Sequence, residues 1–118
     1  MNEYIKSLKK ASKLNISIDK TKIFDWKYTK IAGPCSVEGP EIVDIAKEIK
    51  SLGANAFRAG AYKPCTYPIL EETNGWKEGL KKEGLRLLQQ VKEETNLPIV
   101  TEVMDASMID EVGKIADV

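Results

Sequence analysis

At 118 residues the chain is one domain or a part of one. Basic and acidic residues number 18 each, so the net charge is zero and gives no bulk attraction to nucleic acid or an anionic membrane. There is no histidine, which excludes imidazole bases, Ser-His-Asp and Cys-His nucleophiles and histidine-ligated metals from what this chain does alone.

Residues 1–30 hold eight lysines against three acids, while residues 31–118 hold ten basic against fifteen acidic side chains. Tyr4, Ile5, Leu8 and Ala11 fall at helical spacing, with Lys6, Lys9, Lys10 and Lys13 on the solvent side. Residues 1–27 therefore read as a short amphipathic helix and a linker. From residue 28 to residue 118 the pattern changes to alternating strands and helices. Tyr28–Ala32 is an apolar run ended by Gly33-Pro34, a strand entering a loop. Pro40 opens a helix with Ile42, Val43, Ile45, Ala46, Ile49 and Leu52 as its apolar face and Gly53 as its stop. Ala54–Phe57 is a second strand, and a long loop follows from Ala59 to about Gly75.

Trp76–Thr95 reads as a helix through Leu80, Leu85, Leu88 and Val91, weakened in its first turns by Gly79 and Gly84. Leu97–Val103 is a third strand with Pro98 at its entrance, where a missing N–H is tolerated. Ser107 is the expected cap of a helix running to Ile115, with Asp110 as a weaker capping-box partner. Ala116-Asp117-Val118 reads as the start of a fourth strand. Strands and helices in alternation mean parallel βα units, about three and a half of them. A closed (β/α)₈ barrel needs roughly 200–250 residues. The expected fold is α/β, either a small doubly wound sheet or a partial (β/α)₈ barrel. An open half-barrel would expose Ile31, Phe57 and Val100, and so would oligomerise, aggregate or be partly disordered.

Ligands of parallel α/β folds sit at the carboxyl ends of the strands. Three segments fall there: Gly33–Glu38, Arg58–Thr66 and Thr101–Asp105. Arg58 and Lys63 offer a planar fork and a point charge, suited to a phosphate dianion. Alternatively, Arg58 pairs with Glu102 or Asp105 on the next strand. Cys35 is either a metal ligand, a nucleophile or a small buried apolar residue. No Walker A or GxGxxG pattern is present, so no standard nucleotide cradle is expected.

Ile31-Ala32-Gly33-Pro34-Cys35-Ser36-Val37-Glu38 resembles the first-strand signature of the 3-deoxy-D-arabino-heptulosonate 7-phosphate (DAHP) synthases. Arg58-Ala59-Gly60-Ala61-Tyr62-Lys63-Pro64 is similar to their R-G-G-A-F-K-P-R-T segment, Thr101–Asp105 to their T-E-V-M-D strand, and Ile115–Val118 to the A-D-hydrophobic that follows. The 3-deoxy-octulosonate 8-phosphate synthases open similarly, but Lys63-Pro64 and the T-E-V-M-D run favour the DAHP branch. The resemblance implies a cytoplasmic, metal-dependent (β/α)₈ barrel of which this chain is the N-terminal part. Such an enzyme condenses phosphoenolpyruvate with erythrose 4-phosphate, opening the shikimate route to aromatic amino acids.

The resemblance further makes Cys35 a ligand of a divalent ion of the Mn, Fe, Co or Zn class. It makes Arg58 a phosphoenolpyruvate-binding residue and Lys63 the catalytic lysine between two substrates, with Pro64, Thr66 and Glu102 also at the substrates. The remaining metal ligands (a His, a Glu and an Asp) would come from later strands of the family barrel. Partners implied are these small molecules and further copies of the chain, with no nucleic acid or membrane. Cys65 stands where the family has an arginine for the sugar-phosphate, and a cysteine supplies no forked cation. The stretch from Pro68 to Leu85 is longer than in the family. These departures leave two readings: a truncated enzyme that is inactive alone, or a non-catalytic half-barrel that keeps a phosphate site.

Overall fold

A computed structural model describes residues 29–63 and 79–118, together with Glu3 and the backbone at residues 17–18, 21–22, 69–71 and 75–77. The expected N-terminal helix with its lysines lies, apart from Glu3, outside the described residues. Two antiparallel pairs join β1 (Ser17–Ile18) to β2 (Thr21–Lys22) and β5 (Ile69–Glu71) to β6 (Gly75–Lys77).

The centre of the fold is a parallel sheet in the order β3 (Ile31–Ala32), β4 (Ala56–Arg58), β7 (Ile99–Val100). Ile31 and Ala32 register with Ala56 and Phe57, while Phe57 and Arg58 register with Ile99 and Val100. Ala56, Phe57 and Ile99 are fully buried, as a central strand covered by helices requires. The expected exposure of Phe57 is therefore wrong. Its ring joins the core cluster that includes Val43 and Ala46 of the first helix and Leu88 and Val91 of the second. Ile31, on the edge strand, is 40% exposed.

Helix α1 (Ile42–Ser51) buries Ile42, Val43 and Ala46. Six apolar positions from Ile42 to Leu52 cover too wide an arc for one buried stripe. Ile45 consequently stays partly exposed and Leu52, the C-cap, is 78% exposed. Gly53 ends the helix at φ +101°, a C′ conformation that glycine adopts without a Cβ penalty. Helix α2 (Lys81–Thr95) begins later than its periodicity suggests, because Gly75–Lys77 belongs to β6. Gly84 is buried in its first turn, where a Cβ would lie 3.0 Å from that of Ala61. The residue that weakens the helix thus lets it approach the loop after β4.

Asn96 closes α2 in the left-handed conformation, its N–H donating to the Lys92 carbonyl at 2.9 Å. Buried Thr95 donates from Oγ1 to the Val91 carbonyl at 2.6 Å and accepts from the Leu97 N–H at 3.2 Å. The last helix is shorter than expected. Ala106–Met108 forms a 3₁₀ turn and α3 covers Ile109–Val112. The cap is Asp105, which accepts from the Ser107 N–H at 2.7 Å; Ser107 is not the cap. An aspartate fits because its Oδ1 reaches the second following N–H without distorting the turn.

The expected fourth strand at Ala116-Asp117-Val118 is not formed, although residues 117–118 are hydrogen-bonded beside β7. The Asp117 N–H donates to Ile99 at 2.8 Å and the Thr101 N–H to Val118 at 3.1 Å. Asp117 also accepts the Ile99 N–H at 2.8 Å and the Lys92 ammonium at 2.7 Å. This largely buried carboxylate anchors the segment to both the sheet and α2.

Candidate functional site

Beyond their paired residues, β3 and β4 stay zipped together. Ser36 bridges Gly60, the Gly60 N–H donates to the Cys35 carbonyl at 3.2 Å, and the Val37 N–H donates to the Gly60 carbonyl at 2.9 Å. Such a close approach needs residues without a β-carbon. A Cβ at Gly33 would fall 1.8 Å from the Arg58 carbonyl oxygen, and one at Gly60 would fall 2.6 Å from Glu102 Oε1 and 3.1 Å from the Cys35 carbonyl. Gly33 is thus fixed by backbone packing at the carboxyl edge of the sheet, whereas Gly60 is crowded first by the side chains of Glu102 and Lys63.

Three charged side chains converge over Gly60. Arg58 Nη2 lies 3.3 Å from Glu102 Oε2, and Lys63 Nζ lies 2.8 Å from Glu102 Oε1. All three are partly buried, Lys63 most deeply, with 16% of its side chain exposed. Of the two pairings open to Arg58, the structure shows Glu102, while Asp105 is engaged in its cap. The short contact with Glu102 raises the Lys63 pKa above the ordinary lysine value, against the opposing effect of burial. The negative charges of Glu102 and Cys35 add to the rise and the Arg58 cation opposes it. Glu102 Oε1 is buried, with the Lys63 ammonium 2.8 Å from it.

Neighbouring groups hold this cluster in place. Thr101 Oγ1 donates to the Ala59 carbonyl at 2.7 Å, and the Lys81 N–H donates to the Ala61 carbonyl at 2.8 Å. Tyr62 is buried, and its hydroxyl donates to Glu111 Oε2 at 3.4 Å. Burial first and the Glu111 charge second push the Tyr62 pKa up, so the phenol stays protonated and donates. Glu111 and Tyr62 were not singled out from the sequence. The available signal is Tyr62 itself, whose hydroxyl stands where the family segment has a phenylalanine.

Cys35 is a free, exposed thiol, so it is not the buried apolar residue that an isolated cysteine often is. It lines a cavity of about 160 Å³ with Pro34, Glu38, Glu41 and Ile45, from which Arg58 and Lys63 are absent. No group of three His, Cys, Asp or Glu side chains among the described residues could hold a metal ion. Cys35 is one donor, and the nearby Glu102 is committed to two cations. The described residues therefore do not complete a divalent-metal centre. Pro64, Cys65 and Thr66 lie outside the described residues.

A parallel sheet that gathers an arginine, a lysine and a carboxylate at its carboxyl edge has the layout of an anion-binding α/β protein. Comparison with known proteins makes the class specific. The model of the DAHP synthetase I family matches residues 9–118, and the chain belongs to that family. It is 35% identical over 104 residues to phospho-2-dehydro-3-deoxyheptonate aldolase of Thermotoga maritima, covering 87% of this chain and 29% of that protein. It is 33% identical over 96 residues to 2-dehydro-3-deoxyphosphooctonate aldolase of an Acidovorax species, covering 80% of this chain and 34% of the relative. A crystal structure of the Thermotoga maritima DAHP synthase superposes with a TM-score of 0.69 at 33% identity, over 88% of this chain and 28% of that one. The chain thus spans about a third or less of the length of these relatives. Among the described residues no helix is long and apolar enough to cross a membrane.

Proposed function

We propose that residues 28–118 form the N-terminal part of a (β/α)₈ barrel and carry a phosphoenolpyruvate-binding edge of a DAHP synthase. In that role the chain serves the condensation of phosphoenolpyruvate with erythrose 4-phosphate, the transferase step that opens the shikimate pathway, in the cytoplasm. The observation that carries the reading is the convergence of Arg58 and Lys63 on one carboxylate over Gly60. Two cations that can share one carboxylate are spaced to share one phosphate. Arg58 would grip two of its oxygens through the guanidinium fork, and Lys63 would neutralise a third or the bridging oxygen. Partial burial strengthens both contacts relative to a water-exposed pair.

Glu102 would then lie beside the bound ligand, and the family resemblance adds Pro64 and Thr66 to the substrate-binding residues. A divalent ion, when bound, supplies Lewis-acid catalysis and a template. Cys35 would be one of its ligands, and the others must come from residues beyond those described. Exposed apolar residues lie at both sides of the parallel sheet, Ile31 at 40% on the edge strand β3 and Val118 at 42% in the segment hydrogen-bonded beside β7. These edges support continuation by further βα units and self-association into a homo-oligomer.

The test is titration of phosphoenolpyruvate into isotopically labelled wild-type and Arg58→Ala chains, followed by NMR. Amide shifts centred on Arg58–Lys63 in the wild type and lost in the variant support the reading. Equal shifts in both proteins, or none in either, overturn it.

A further inference from the structure

Glu102 is placed where a ligand would be. Its carboxylate is shared between two cations, Oε2 at 3.3 Å from Arg58 Nη2 and Oε1 at 2.8 Å from Lys63 Nζ. Oε1 is buried, and it lies in the hollow left by the missing β-carbon of Gly60, 2.6 Å from where that carbon would be. One carboxylate oxygen thus fills the space between the cations that an anionic ligand needs for its own oxygen.

We propose that Glu102 is a tethered stand-in anion, displaced by a phosphate monoester dianion but not by a monocarboxylate, and so sets the selectivity of the site among anions. The proposal rests on the reading of Arg58 and Lys63 as a phosphate site. A monocarboxylate from solution replaces Glu102 with a group of the same charge and geometry. It must also compete with a carboxylate held in the site by the chain, at high effective concentration and without the entropy cost of association. A phosphate monoester brings a second charge and an additional terminal oxygen, enough to satisfy both cations better than one carboxylate does. Displaced, Glu102 has somewhere to go. Its side chain is already 30% exposed, and Val103 and Met104 beside it are exposed at the mouth of the sheet.

Removing the charge while keeping the shape is therefore expected to tighten anion binding, an effect opposite in sign to that of structural damage. The 118-residue chain is titrated with phosphoenolpyruvate and with pyruvate at pH 8, where the phosphate is dianionic. Wild type should prefer phosphoenolpyruvate, and Glu102→Gln should bind pyruvate about tenfold more tightly, a change of about 1.4 kcal/mol, with a smaller gain for phosphoenolpyruvate. Glu102→Asp, too short to span both cations, should move in the same direction by a smaller factor. Adding Arg58→Ala to Glu102→Gln should abolish the gain.

Unchanged affinities in Glu102→Gln, with phosphoenolpyruvate binding still lost in Arg58→Ala, would overturn the stand-in role and leave the phosphate site intact. Weaker binding of both ligands in the Gln and Asp variants would make Glu102 a prop for the cations and also overturn the proposal. No binding by any of the proteins would overturn both the proposal and the phosphate site beneath it.

Discussion

Replacing Gly33 and Gly60 by alanine, one at a time, compares crowding against backbone with crowding against a side-chain end. At Gly33 the methyl would lie 1.8 Å from the Arg58 carbonyl oxygen and 2.8 Å from its carbon. That carbonyl belongs to the central strand, so relief requires β3 to part from β4. The backbone φ of +155° adds a conformation that residues with a β-carbon rarely adopt. Overpacking costs roughly 1–3 kcal/mol and an unfavourable backbone region about 1–2 kcal/mol, together about 4 kcal/mol.

At Gly60 the tightest neighbour is the carboxylate tip of Glu102 at 2.6 Å, followed by Lys63 Cδ at 3.0 Å and the Cys35 carbonyl at 3.1 Å. Flexible side chains can move, and the expected cost is about 1 kcal/mol. At about 4 °C per kcal/mol for a domain of this size, Gly33→Ala should lower the melting temperature by about 15 °C and Gly60→Ala by about 4 °C. Thermal denaturation of the 118-residue chain followed by circular dichroism measures both. A Gly33→Ala chain that melts within about 4 °C of wild type, or one more stable than Gly60→Ala, refutes the reasoning.

Thr95→Val removes a buried hydroxyl and leaves the Leu97 N–H without its acceptor, so urea denaturation should show a loss of about 1–3 kcal/mol. The Ser107 side-chain and backbone contacts hold the Asp105 pKa below its ordinary value of 3.8. A lowered carboxylate pKa stabilises the fold fully above that ordinary value and loses the effect as pH falls through the lowered one. Asp105→Asn should accordingly flatten the acid limb of stability against pH and leave its neutral shape unchanged; an unaltered acid limb contradicts the assignment. The 118-residue chain alone is expected to release no phosphate from phosphoenolpyruvate with erythrose 4-phosphate and added Mn²⁺. It has no histidine, and among the described residues no three His, Cys, Asp or Glu side chains could hold a metal ion; measurable turnover by the purified chain would refute this.

The parallel sheet was legible because its strands are short apolar runs bounded by strong punctuation. Gly33-Pro34 ends β3, Gly53 ends α1, and Pro98 precedes β7. Errors arose where local signals competed. Trp76 and Leu80 fit a helical period, yet Gly75–Lys77 pairs with Ile69–Glu71. Ser107 has the residue type of a cap, but Asp105 two residues earlier accepts the Ser107 N–H and caps the turn.

At the site, the residue types and their strand-end positions could be read from the chain, and the partner of Arg58 could not. Arg58 and Glu102 are separated by 44 residues, and Glu102 and Asp105 are both carboxylates near the end of the same strand. Only the parallel register, Arg58 beside Val100, decides between them. The core position of Phe57 is equally non-local, since α1 and α2 must pack together before that face of the sheet is covered.

A crystal structure of the chain with phosphoenolpyruvate bears most directly on the account as a whole. The phosphate should lie over Gly60 between the Arg58 guanidinium and the Lys63 ammonium, with the Glu102 carboxylate turned away from both. Phosphate density elsewhere, or a Glu102 that still bridges the two cations in the presence of bound ligand, would contradict it.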